Sequence, residues 1–115
     1  MDDRSHGRSA RKAALAAFRE RRPAAGVYAL RCPSGRAWAG LSRNLEAVRN
    51  QLLFTLRQGG HPHRALQTAW REAGEAGLLF EEVERLDPDV EPIALDRILK
   101  ARLDHWATAL RADTL

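Results

Sequence analysis

Cys32 is the only cysteine among the 115 residues, so no disulfide can form within the chain. No cluster of cysteine and histidine has zinc-module spacing, so no metal site is expected on that ground. No apolar stretch comes near the roughly 20 residues that a membrane-spanning helix needs. The charged N-terminus lacks the continuous apolar core of a secretory signal. A Gly-rich phosphate loop, a Walker element, a Ser/His/Asp set and an internal repeat are all missing from the sequence. These absences leave a cytoplasmic protein with no membrane partner as the expectation, and the arginine-rich composition suits a GC-rich bacterial genome. The hydrophobic share of 44% is ordinary for a globular chain, and the length suits one core.

The charge is unevenly placed. Residues 1–22 hold seven basic side chains against three acidic ones, a net +4, while the rest of the chain holds twelve of each sign. A basic arm on a neutral body is a common beginning for a nucleic-acid binder, because each cation that neutralises a phosphate releases a counterion. The plainer alternative is a solvated, arginine-rich leading helix. The expected organisation is thus an arm and helix over residues 1–22, followed by one domain over 23–115.

Ser9 can cap a helix running to about residue 22, with Ala14, Leu15 and Phe18 on one face, and Pro23 ends it. Two β-like runs follow, 27–31 and 36–41, joined by Cys32-Pro33-Ser34-Gly35, whose turn chemistry favours a hairpin. Asn44 is a good N-cap for a helix over 45–58, with Leu45, Val48, Leu52 and Leu56 as its stripe and Gly59-Gly60 as its stop. A helix over about 62–73, a strand over 78–83 and a long helix over about 93–111 complete the pattern. The last helix carries the stripe Leu95, Leu99, Leu103, Trp106 and Leu110. The fold class is therefore α/β (α+β), with three antiparallel strands flanked by helices and an extra helix in front. Periodicity alone names no function.

The letters along this order resemble the GIY-YIG nuclease superfamily. Gly26-Val27-Tyr28 is similar to the GIY element, and Trp38-Ala39-Gly40 stands where the second strand carries YIG. Ser42-Arg43-Asn44-Leu45 resembles the loop opening the first helix. Gly59-Gly60-His61 and Leu66-Gln67-Thr68-Ala69-Trp70 resemble the segment that follows, and Phe80-Glu81-Glu82-Val83 the third strand. The likeness covers residues 26 to about 85 well and the last helix loosely.

The resemblance implies metal-assisted phosphodiester hydrolysis, with a glutamate for a divalent ion, a tyrosine beside the attacking water, and arginine and histidine at the phosphate. Carried over residue by residue, Tyr28 and His61 are kept. Trp38 replaces the second tyrosine, Val48 the arginine and Leu52 a histidine, and Leu103 stands at the glutamate. A slip of one residue would offer Arg49 for the arginine, so Tyr28, Arg49 and His61 are the catalytic candidates. Asp104, Glu81 and Glu82 are spare carboxylates that nothing in their spacing marks as ligands. Mg²⁺ or Mn²⁺ is implied only if the centre is active.

Trp38, Arg43, Arg49, His61, His63 and Arg64 are the candidates for contact with nucleic acid, DNA before RNA. The plainer readings are a Tyr28–Trp38 packing pair, solubilising arginines, and a His61-Pro62-His63 helix start. Three functions follow: a nucleic-acid-binding domain with weak or lost hydrolysis, an active metal-dependent endonuclease with a rearranged centre, and a protein-interaction module.

Overall fold

The computed structural model describes residues 23–74 and 76–115. The expected leading helix and the basic arm, residues 1–22, lie outside the described residues. The described elements are β1 (Gly26–Arg31), β2 (Ala37–Ser42), α1 (Leu45–Gln58), α2 (Arg64–Ala73), β3 (Leu79–Arg85), α3 (Pro92–Leu110) and β4 (Asp113–Thr114). No helix among the described residues is long and apolar enough to cross a membrane.

β1 is the central strand. It pairs antiparallel with β2 and β3, and the sheet order is β3-β1-β2-β4. Both of its faces are covered, which is why Gly26-Val27-Tyr28-Ala29-Leu30 is almost wholly apolar. The hairpin forms as its turn residues dictate: Cys32 N donates to Arg36 O at 2.9 Å, and Gly35 adopts a φ of 94°. Gly26 is required for another reason. A Cβ there would lie 1.9 Å from the Glu84 carbonyl oxygen, where β1 and β3 shift register.

The sheet has four strands among the described residues where three are expected. The added strand comes from the chain's reversal after α3. Arg111 takes a left-handed φ of 51°, and residues 113–114 then lie parallel to β2, with Leu115 N donating to Ala39 O at 2.8 Å. A two-residue strand held at an edge leaves no periodicity to read.

Because side chains alternate across a strand, β1 and β2 feed two separate cores. Tyr28, Leu30 and Trp38 pack under α1 and α2 with Leu45, Leu52, Leu56, Leu66 and Trp70. Val27 and Ala39 face α3, where they meet Leu103, Trp106 and Ala107. The helix ends follow the sequence: the Asn44 side chain accepts from Ala47 N at 3.0 Å, and Gly59 closes α1 at a φ of 76°. α2 begins later than expected, because His63 provides its cap.

α3 is pinned to β3 through Glu84, whose Oε1 accepts from Arg102 Nε at 2.6 Å and from Trp106 Nε1 at 2.7 Å. Burial alone would raise this carboxyl's pKa, but the bonds from Trp106 and Arg102 outweigh it and hold it below the ordinary value. A depressed folded-state pKa contributes stability above the unfolded carboxyl range, and that stability is lost as pH falls through the folded value. Glu84→Ala should therefore cost roughly 1.5–3 kcal/mol at pH 7. Thermal melts of the variant and the wild type should converge as the pH is lowered into the carboxylate range.

Candidate functional site

The first residue of interest is Tyr28, buried in mid-strand with only 5% of its surface exposed. Its ring stacks on Phe80 of β3 at 5.3 Å between centroids and 16° between planes. Its hydroxyl end runs over Gly40 of β2. A Cβ at Gly40 would come within 2.4 Å of the tyrosine oxygen, so the glycine is what lets the phenol lie across the sheet. Burial raises the phenol's pKa above its usual 10.0, so at neutral pH Tyr28 is a hydrogen-bond donor and not a phenolate.

Tyr28 forms one wall of a cleft of about 210 Å³ between β1, α1 and the loop before α2. Val48, Gln51, Leu52 and Thr55 of α1 form a second wall, and His61-Pro62 the third. The two apolar residues standing at the family's arginine and histidine positions thus do line the cleft. Gln51 and Thr55 were missed, although each lies one helical turn, three residues, beyond Val48 or Leu52 on the same face.

His61 is held from two sides. Its backbone N–H donates to Gln67 Oε1 at 3.0 Å, and Gln67 Nε2 donates to Leu56 O at 3.0 Å. Gln67 is only 6% exposed, and this pair of bonds fastens the Gly59–His61 turn to the end of α1. On the ring, Nδ1 accepts the backbone N–H of His63 at 3.0 Å. The neutral ring therefore carries its proton on Nε2. Burial, followed by the nearby charge of His63, lowers the imidazole pKa below 6.5. His61 is thus a neutral donor at pH 7, and it cannot take a proton at Nδ1 without losing the His63 bond.

The remaining candidates fall elsewhere. Trp38 is 0% exposed and packs in the core, so its indole face is closed to a nucleic-acid base, and the packing reading of this residue stands. Its Nε1 has no hydrogen-bond partner among the described residues. Arg43 is bonded to Asp96 of α3, with Nε 3.1 Å from Oδ1, and lines a different groove. His63 caps α2 through Nδ1 to Leu66 N at 3.4 Å and sets its ring edge-on to Trp38. Arg49 is exposed on α1 and does not line the cleft, and Arg64 is exposed at the start of α2. Of the three catalytic candidates, Tyr28 and His61 come together and Arg49 stays outside.

Among the described residues, no carboxylate lines the cleft. Leu103 packs with Val27 and Ala39 on the opposite face of the sheet, so the position matched to the family's glutamate is turned away from Tyr28. Among the spare carboxylates, Glu81 is paired with Arg31 at 3.1 Å, Glu82 with Arg85 at 2.8 Å, and Asp104 is exposed on α3. Among the described residues no three His, Cys, Asp or Glu side chains gather as metal ligands. A hard divalent cation takes carboxylate and other oxygen ligands, and the donors present do not fit one. What they fit is an acceptor group such as a phosphate oxygen, reached by O–H and N–H donors.

With this geometry in place, the fold is GIY-YIG-like. No family model matches the chain, and no curated protein matches it. Two solved structures do. The catalytic domain of homing endonuclease I-TevI superimposes with a TM-score of 0.65 at 16% identity, over 79% of this chain and 97% of that one. A mutant of the catalytic domain of intron endonuclease I-TevI gives 0.63 at 17% identity, over 76% and 84%. At these identities the likeness establishes the fold.

Proposed function

We propose that this chain is a nucleic-acid-binding domain, DNA before RNA, built on a GIY-YIG nuclease-like fold that does not hydrolyse its ligand at a useful rate. The observation that carries this reading is the cleft beside Tyr28. It keeps neutral donors from Tyr28, Gln51 and His61, while the Thr55 hydroxyl donates to Gln51 O at 2.7 Å; Val48 and Leu52 line it, and among the described residues no carboxylate does. Hydrolysis needs preorganised charge for the phosphate oxygens, and losing one such group typically costs about 10²–10³ in rate. Binding asks less: neutral donors position a phosphate, and a positive field brings it there. Residues 23–74, which include both helices over the cleft, hold seven arginines against two glutamates, a net +5. Residues 76–115 hold five basic against nine acidic side chains, a net −4. The positive half is the half that carries the cleft. The two structural neighbours are endonuclease catalytic domains, which is consistent with a nucleic-acid ligand.

The test has two arms. Purified protein with Mg²⁺ or Mn²⁺ should leave duplex, branched and single-stranded substrates uncut, with Tyr28→Phe as the control for contaminating nuclease. In anisotropy titrations, His61→Ala should weaken binding by about 5- to 15-fold, the scale of one lost hydrogen bond at about 1–1.5 kcal/mol. Metal-dependent cleavage that disappears in Tyr28→Phe would replace this reading with the rearranged-centre endonuclease. An absence of binding to any nucleic acid would favour the protein-interaction module.

A further inference from the structure

A second cavity lies away from the Tyr28 cleft. It is a groove of about 520 Å³ walled by Pro23, Ala24 and Ala25 on one side and by Arg85, Leu86, Asp87, Pro88 and Val90 on the other, with Pro92 and Leu95 of α3 at its end. Leu86, Val90 and Leu95, with Pro23, Ala24 and Ala25, make its lining largely apolar. Arg43 and Arg85 border it, but Asp96 and Glu82 already neutralise them. Asp87 lines the groove, and Glu91 stands between the lining residues Val90 and Pro92, which makes this edge acidic.

Pro23, the first described residue, is itself part of the wall. The 22 residues before it are therefore tethered at the mouth of the groove. They carry a net +4, with Arg19, Arg21 and Arg22 nearest Pro23. Their sequence spaces Ala14, Leu15 and Phe18 as one face of a helix. At about 1.5 Å of rise per residue, Phe18 and Leu15 would start only about 7.5 and 12 Å from Pro23. Length, apolar spacing and opposite charge all match the same surface.

We propose that the groove between residues 23–25, residues 85–90 and the start of α3 is the docking site of the chain's own residues 9–22. Leu15 and Phe18 supply the apolar contact, and the arginines next to Pro23 meet the acidic rim. The more distant Arg4, Arg8, Arg11 and Lys12 then project from a seated element and stay available to an anionic partner. This inference stands apart from whether the chain binds or cleaves nucleic acid.

The test is paramagnetic broadening in the full chain. Cys32→Ser removes the native thiol, and Ala16→Cys carries a nitroxide on the side of the expected helix away from Leu15 and Phe18. The amides of Leu86, Val90 and Leu95 should be broadened. Adding Leu15→Ser and Phe18→Ser should abolish that broadening while the β1 and β2 amides keep their positions, which shows that the domain is still folded. Intact groove signals in the singly labelled protein would overturn the proposal, as would broadening centred on α1 and α2. So would broadening of an unlabelled, ¹⁵N-enriched copy by a spin-labelled one, because a second molecule would then fill the groove.

Discussion

Leu103→Glu should destabilise the protein by roughly 3–5 kcal/mol, the usual cost of an uncompensated buried charge, and should produce no nuclease. Leu103 is 7% exposed and lies against Val27 and Ala39, each 0% exposed. A carboxylate there meets hydrocarbon. Arg102, the preceding residue on α3, is already bonded to Glu84, so it is not available as a new partner. The substitution also cannot rebuild a metal site, since residue 103 faces the other side of the sheet from Tyr28. Urea denaturation at pH 7 checks the first half, with Leu103→Met as a near-isosteric control expected to cost less than about 1.5 kcal/mol. The deficit should shrink at lower pH, because a buried carboxyl has a raised pKa and its penalty fades as it protonates. Wild-type stability in the glutamate variant at pH 7 would mean that position 103 is open to solvent or to a cation.

The contrast between Leu103 and the Val48–Leu52 pair shows what could be read from the letters. Val48 and Leu52 share one helical face with Leu45 and Leu56; periodicity gave that face, and the resemblance put it beside Tyr28, where both residues lie. Leu103 belongs to an equally clear stripe on α3, but a stripe says only that a helix has a buried face. Which side of the sheet it covers depends on the connection after β3, a long-range matter that periodicity does not encode. Trp38 failed as an interface candidate for a related reason: position in a motif fixed its strand, while alternation across that strand put it into the core under α1 and α2. The caps at Asn44 and Gly59 were legible because their chemistry is local. Gln67 was not. A single polar residue within an apolar stripe reads as noise until its two partners, Leu56 O and His61 N, are brought beside it.

Charge was legible in amount and only partly in place. The sequence sets +4 in residues 1–22 against zero beyond, which makes the domain look electrically inert. The fold divides that zero. The positive half, residues 23–74, carries β1, β2, α1 and α2, and the negative half carries β3 and the acidic loop after it. The helices that wall the Tyr28 cleft belong to the positive half.

Neutralising the distal arm should flatten the salt dependence of nucleic-acid binding. The combined variant Arg4→Gln, Arg8→Gln, Arg11→Gln and Lys12→Gln removes four positive charges and leaves Leu15, Phe18 and the arginines nearest Pro23 intact. Each neutralised phosphate contributes about −0.9 to the slope of log affinity against log salt on duplex DNA, so four contribute about −3.6. Between 50 and 200 mM salt, that slope corresponds to about a 150-fold loss of affinity. The wild type should suffer this loss in addition to whatever the variant loses over the same interval. Anisotropy titrations at stepped salt concentrations check this on duplex DNA, single-stranded DNA and RNA. Slopes on single strands should change less, by about −0.7 per contact. The variant should keep a shallow residual slope, because residues 23–74 still hold seven arginines against two glutamates, and of these Arg31, Arg36 and Arg43 are paired with Glu81, Asp113 and Asp96. If the two slopes coincide, the distal arm makes no phosphate contacts, and any salt-dependent binding belongs to the domain alone.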